Sequence, residues 1–71
     1  MFRVFKRRSW RPNPAWPHGC EPQAVPADSC RTVARFNTRE EARDFCTEHN
    51  DRLPADETRR RLAGMYEFTE E

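Results

Sequence analysis

Seventy-one residues, 35% hydrophobic and 35% charged, allow one small domain with a small core. The formal net charge of +1 excludes a general attraction to polyanions. It hides an asymmetry: residues 1–36 carry seven Arg or Lys against two acids, and residues 37–71 carry six against ten. Arg3, Lys6, Arg7, Arg8 and Arg11 all precede the first acid, Glu21, so an N-terminal basic patch is expected.

Met1 to Arg8 mixes basic with aromatic and β-branched residues and predicts a strand. Its alternation slips at Val4-Phe5. Either Phe2 and Val4 face the core, or Phe5 does with Arg3 and Arg7 turned outward. Residues 8–30 then form a long Pro-rich loop. Pro12, Pro14, Pro17, Pro22 and Pro26 lie within it and argue against helix or central strand. Trp16, flanked by prolines, is expected to fold back over the core. Trp10, between Arg8 and Arg11, is the better contact residue. Cys30 to Asn37 predicts a second strand with Ala34 and Phe36 turned inward.

Phe36 to Asn50 carries the clearest helix signal. Thr38 stands as N-cap with Glu41 three residues on, a capping box, and the Glu40 and Glu41 carboxylates lie at the positive end of the helix dipole. Ala42, Phe45, Cys46 and His49 share one face, and Arg39, Glu40, Arg43, Asp44 and Glu48 form a solvated one. Asn50 is a plausible left-handed cap. Pro54 ends the helix, and Ala55 to Arg61 could make a helical turn but is expected to be mainly loop. Leu62 to Thr69 predicts a third strand with Tyr66 and Phe68 on one face. Glu70-Glu71 is expected to fray.

The fold class that follows is α+β, a β-β-α-β domain spanning 1–71. Its three-stranded antiparallel sheet has order 2-1-3, with one helix on one face. The predicted core is Phe2 or Phe5 with Val4, Ala34, Phe36, Ala42, Phe45, Cys46, Tyr66 and Phe68. Glu67 should face the cations of the first strand.

Three cysteines, Cys20, Cys30 and Cys46, are an odd number, and Met1 to Arg8 lacks the apolar segment of a secretory signal. No run is apolar enough to span a bilayer. A cytoplasmic monomer with free thiols and no membrane attachment is expected. His18, Cys20, Cys30, Cys46 and His49 are of zinc-ligand type. However, no Cys-x-x-Cys pair is present and Cys46 lies on the stripe the helix needs for its core, so no metal or other cofactor is expected. Two histidines and two glycines give too little to build a nucleophile, base and oxyanion site, so the chain is not read as an enzyme. Two binding classes remain. One is a protein-binding module that grips an acidic surface through Lys6, Arg7, Arg8, Trp10 and Arg11, where charge, aromatic area and loop exposure coincide. The other is a small basic-patch nucleic-acid-binding protein with stacking tryptophans.

The basic first strand, Trp10-x-Pro12-x-Pro14, the run Arg35 to Asn50 and the final Gly64-Met65-Tyr66-Glu67-Phe68 resemble small proteins of tailed bacteriophages. Size and element order are similar to the RNA-polymerase-binding transcription regulators of lytic Xanthomonas phages. That resemblance implies a partner, the host bacterial RNA polymerase near the amino terminus of its β′ subunit. It also implies two effects: inhibition of σ-dependent initiation at host promoters, and antitermination at intrinsic terminators. Contact with nascent RNA would fit the N-terminal arginines. No binding residue is carried over from the resemblance.

Overall fold

The computed structural model describes residues 1–71. Strand β1 (Phe2–Arg7) is the centre of a three-stranded sheet. The short strands β2 (Trp10–Pro12) and β3 (Cys20–Pro22) form a separate hairpin. Strand β4 (Thr32–Phe36), helix α1 (Arg39–Asn50), helix α2 (Glu57–Ala63) and strand β5 (Met65–Glu70) complete the chain. The sheet order is β4-β1-β5 with both pairings antiparallel. The α+β class, the sheet order and a helix packed on one face are thus as the sequence indicates, with a hairpin and a second helix added.

The register explains the slip at Val4-Phe5. Against β5, β1 pairs without interruption from Phe2–Glu70 to Arg7–Met65. Adjacent side chains therefore alternate between faces. Phe2 and Val4 face α1, where Val4, Ala42 and Cys46 form the buried cluster and Phe2, Ala34, Phe36, Phe45, Tyr66 and Phe68 pack around it. Phe5 points to the other face and is only 2% exposed. The first alternative holds on the α1 side; on the other side Phe5 is buried too, but Arg3 and Arg7 share its face instead of turning away from it. Against β4 the register shifts between Val4–Ala34 and Phe5–Thr32, leaving Val33 as the extra residue.

The face bearing Phe5 is covered by the segment before β4. The Arg3 guanidinium donates to the carbonyls of Ala27 (3.0 Å) and Cys30 (3.1 Å) and to Thr32 Oγ1 (3.3 Å). It lies 4.8 Å from the Phe5 ring, and Arg7 lies 5.5 Å from the same ring.

Helix α1 starts where its capping box places it. Thr38 Oγ1 accepts from the Glu41 N–H (3.2 Å), and the Thr38 hydroxyl donates to the Glu41 carboxylate (3.0 Å). Arg39 stays exposed on the solvated face. Its guanidinium lies over the Phe2 and Phe68 rings, at 5.4 and 5.9 Å. At the other end Asn50 stays helical and is not a left-handed cap. Its amide instead binds the Tyr66 backbone in both directions, accepting from N–H (2.8 Å) and donating to C=O (3.0 Å). An amide in this position satisfies the outward groups of edge strand β5 as another strand would.

Four expectations are corrected. The 8–30 segment is not one loop: it holds the β2–β3 hairpin, and its prolines Pro12 and Pro22 sit at strand ends, where a missing N–H costs least. Ala55 to Arg61 is not mainly loop, because α2 runs from an Asp56 cap that accepts from the Arg59 N–H (3.0 Å). The last strand begins at Met65, since Leu62 and Ala63 finish α2 and Gly64 turns the chain at φ +85°. Glu70 and Glu71 do not fray. Glu70 pairs with Phe2, the Glu71 N–H donates to Met1 O (2.8 Å), and its carboxylate pairs with Arg35 (2.9 Å).

Phe5→Ala is expected to cost about 3–5 kcal/mol, because it empties a site enclosed on all sides. Phe45 is half-buried, so Phe45→Ala should cost less than Phe5→Ala. Urea denaturation of the two variants checks this order. Gly64→Ala should also destabilise, since its Cβ would lie 2.8 Å from Arg8 Cγ and 2.9 Å from Arg7 O.

Candidate functional site

The five residues expected to form one basic patch are divided among three environments. Lys6 emerges on the α1 side of β1, its ammonium 5.6 Å from the Tyr66 ring. Arg7 emerges on the opposite side, where Nε lies 3.3 Å from the Glu67 carboxylate but is buried without a well-directed hydrogen bond. Of the first-strand cations Glu67 is expected to face, it pairs with Arg7, while Lys6 lies on the other side of the sheet. Arg8 is exposed and pairs with no acid, while Arg11 pairs with Glu21 across the hairpin. Strand alternation is the cause: neighbouring cations on one strand cannot share a face.

Trp10 is half-buried, and the Arg61 guanidinium stacks 4.0 Å above its ring. It joins the hairpin to α2. Cys20, 1% exposed, lies in the same junction. There the Thr58 hydroxyl donates to His18 O (2.6 Å) and Cys20 Sγ approaches the same carbonyl at 3.3 Å. Trp10 is thus a packing residue on one side of its ring, and it lines a groove of about 600 Å³ with Arg7, Leu53, Glu57, Met65 and Glu67. Charges of both signs share that groove. Glu57 is held below the usual carboxylate range by its hydrogen bond from Arg61, with the Arg60 and Arg61 charges adding to it.

Trp16 does not cover the core. It is 46% exposed at the tip of the β2–β3 hairpin. The tip is ordered by its own backbone: the Trp16 N–H donates to Asn13 O (3.0 Å), Gly19 N–H to Trp16 O (2.9 Å) and Asn13 N–H to Gly19 O (2.8 Å). Asn13 Oδ1 accepts from the Ala15 N–H (3.0 Å) in an Asx turn. His18 closes the turn at φ +60°, a region that histidine tolerates better than most residues. Pro14 and Pro17 fix φ on either side, so rigidity holds the indole outward rather than folding it back.

No family model, curated protein or solved structure matches this chain.

The zinc-type residues stay apart. No three His, Cys, Asp or Glu side chains come together as a ligand set. His49 is spent on the core edge, with Nδ1 2.8 Å from Phe45 O and its ring stacked on Phe45 at 3.9 Å. Cys46 lies in the buried cluster, where burial first and the Glu67 charge second push its thiol pKa up. No helix is long and apolar enough to cross a membrane. Pocket-forming surface outside the mixed-charge groove is found only where Lys6 and Arg8 meet Arg31.

Two measurements check this division. Trp10→Ala should lower the melting temperature by several degrees through loss of the hairpin–α2 junction, and Trp16→Ala should leave it within about two degrees. With a thiol reagent on the native protein, half-buried Cys30 should label first, and Cys20 and Cys46 should label only on unfolding. Mass spectrometry of the time course separates these classes.

Proposed function

We propose that the chain is a non-catalytic binding module of bacteriophage type that docks on bacterial RNA polymerase in the host cytoplasm. There it inhibits initiation at host promoters and promotes antitermination. The choice of polymerase, with β′ as the subunit engaged, rests on the sequence resemblance described above. The docking part of the proposal rests on Trp16. A large aromatic ring is held exposed on a tip that hydrogen bonds and two prolines have already ordered. Such a residue buries contact area on binding while losing little conformational entropy, which is the property of an interface anchor.

The contact residues chosen from the sequence are revised accordingly. Trp16 replaces Trp10 as the aromatic anchor. Arg11, paired with Glu21, and Arg7, drawn toward Glu67, lend less to an acidic partner than Lys6 and Arg8, which have no acidic partner.

Binding to purified bacterial RNA polymerase tests the proposal. The protein should retain the β and β′ subunits in a pull-down and raise read-through of an intrinsic terminator in transcription assays. Trp16→Ala should weaken binding by about 2 kcal/mol or more at unchanged melting temperature. A protein that neither binds polymerase nor alters initiation or termination removes the polymerase assignment. A Trp16→Ala variant that binds normally removes the anchor.

A further inference from the structure

The end of β1, the segment leading into β4 and the bulge residue Val33 enclose an open groove of about 600 Å³. Lys6, Arg8 and Arg31 line it, and no acidic residue does. Arg7, Arg11, Arg35, Arg43, Arg52, Arg60 and Arg61 each lie within ion-pair distance of a carboxylate, and the three groove cations do not. Arg3, Arg39 and Arg59 are unpaired as well, but none of them lines this groove. The groove cations also come from separate parts of the sequence. The groove is assembled when Gln23 ties its segment to β1, its amide donating to Arg8 O (2.8 Å) and its N–H to Ser9 O (2.9 Å). Arg3 fastens the other end of the segment through Ala27 O and Cys30 O.

We infer that this groove binds the phosphodiester backbone of a single-stranded nucleic acid. Three convergent cations without a counter-charge create a local positive potential, whatever the net charge of the chain. Guanidinium forks match two phosphate oxygens, and Lys6 adds a point charge. The groove is open, so it does not enclose a small anion but suits a strand running across it. A nucleic-acid strand carries its charges on the backbone itself, whereas an acidic peptide must immobilise a flexible side chain for each carboxylate it offers. No aromatic ring lines the groove, so bases have nothing to stack on there, and recognition falls on the backbone without sequence preference. The site does not depend on the partner gripped by Trp16.

The test uses the full chain without polymerase and a fluorescent oligouridylate as probe. Anisotropy titrations over a range of salt should give binding whose logarithmic salt slope falls by about 0.7 for each cation removed in Arg8→Ala and Arg31→Ala. Oligodeoxythymidylate should behave similarly. Arg52→Ala, exposed in the turn after α1 and paired with Glu48, should leave the titration unchanged. Amide chemical-shift changes in the unmutated protein should cluster at residues 6–8 and 23–33, so the result does not depend on a variant folding. The inference is overturned by absence of binding at low salt, by equal loss in Arg52→Ala, by shift changes elsewhere, or by polyglutamate binding the same residues as tightly as RNA.

Discussion

β1 carries fully buried side chains on both faces, and the rest of the structure follows from that. A three-stranded sheet can leave one face wet when that face is polar. Here Val4 requires a cover on one side and Phe5 on the other. α1 supplies the first cover with its Ala42, Phe45 and Cys46 stripe. The second helix, α2, packs on the hairpin, and the other face is covered by irregular backbone. A loop laid over an apolar ring brings carbonyl groups that need partners. Arg3 provides them: it binds the Ala27 and Cys30 carbonyls while its flat face lies over Phe5. One side chain thus satisfies polar groups and completes the cover.

Prolines suit that cover and the hairpin beyond it. Five of the residues between Ser9 and Ser29 have no backbone N–H to give a sheet, and two of them, Pro12 and Pro22, end the hairpin strands. The hairpin is therefore only three residues long on each side, too short to be stable alone. α2 compensates by docking on it through Arg61 over Trp10 and through Thr58 on His18 O. α2 thus holds the hairpin from Trp10 at its open end to His18 in its turn, and the Trp16 indole stays exposed beside that attachment. The same economy of contacts explains the basic groove: the segment tied down by Gln23 and Arg3 carries no acid along the part that faces Lys6 and Arg8.

Electrostatics then divide the surface into neutral and charged zones. Most arginines have an acidic partner at the surface, in pairs that contribute about 0–1 kcal/mol each. Their larger effect is to cancel local potential around α1, α2 and the hairpin. Pairing fails at Arg3, Arg39 and Arg59 singly, and at Lys6, Arg8 and Arg31 together in one groove.

The sequence by itself determined the sheet, the long helix and the first core. Thr38 with Glu41, the Ala42–Phe45–Cys46–His49 spacing and the Tyr66–Phe68 alternation are local signals, legible wherever the chain goes. The cap at Asp56, the Glu57–Arg61 spacing and Gly64 also mark α2 locally. What only the tertiary structure decided is which surfaces coincide. The β1 alternation separates Lys6 from Arg7, a hydrogen-bonded turn turns Trp16 outward, and α2 takes Trp10 as its seat. Arg31, far along the chain, comes to lie beside Lys6 and Arg8. The seating of Trp10 and the approach of Arg31 depend on contacts between residues distant in sequence, and no short window along the chain contains both partners.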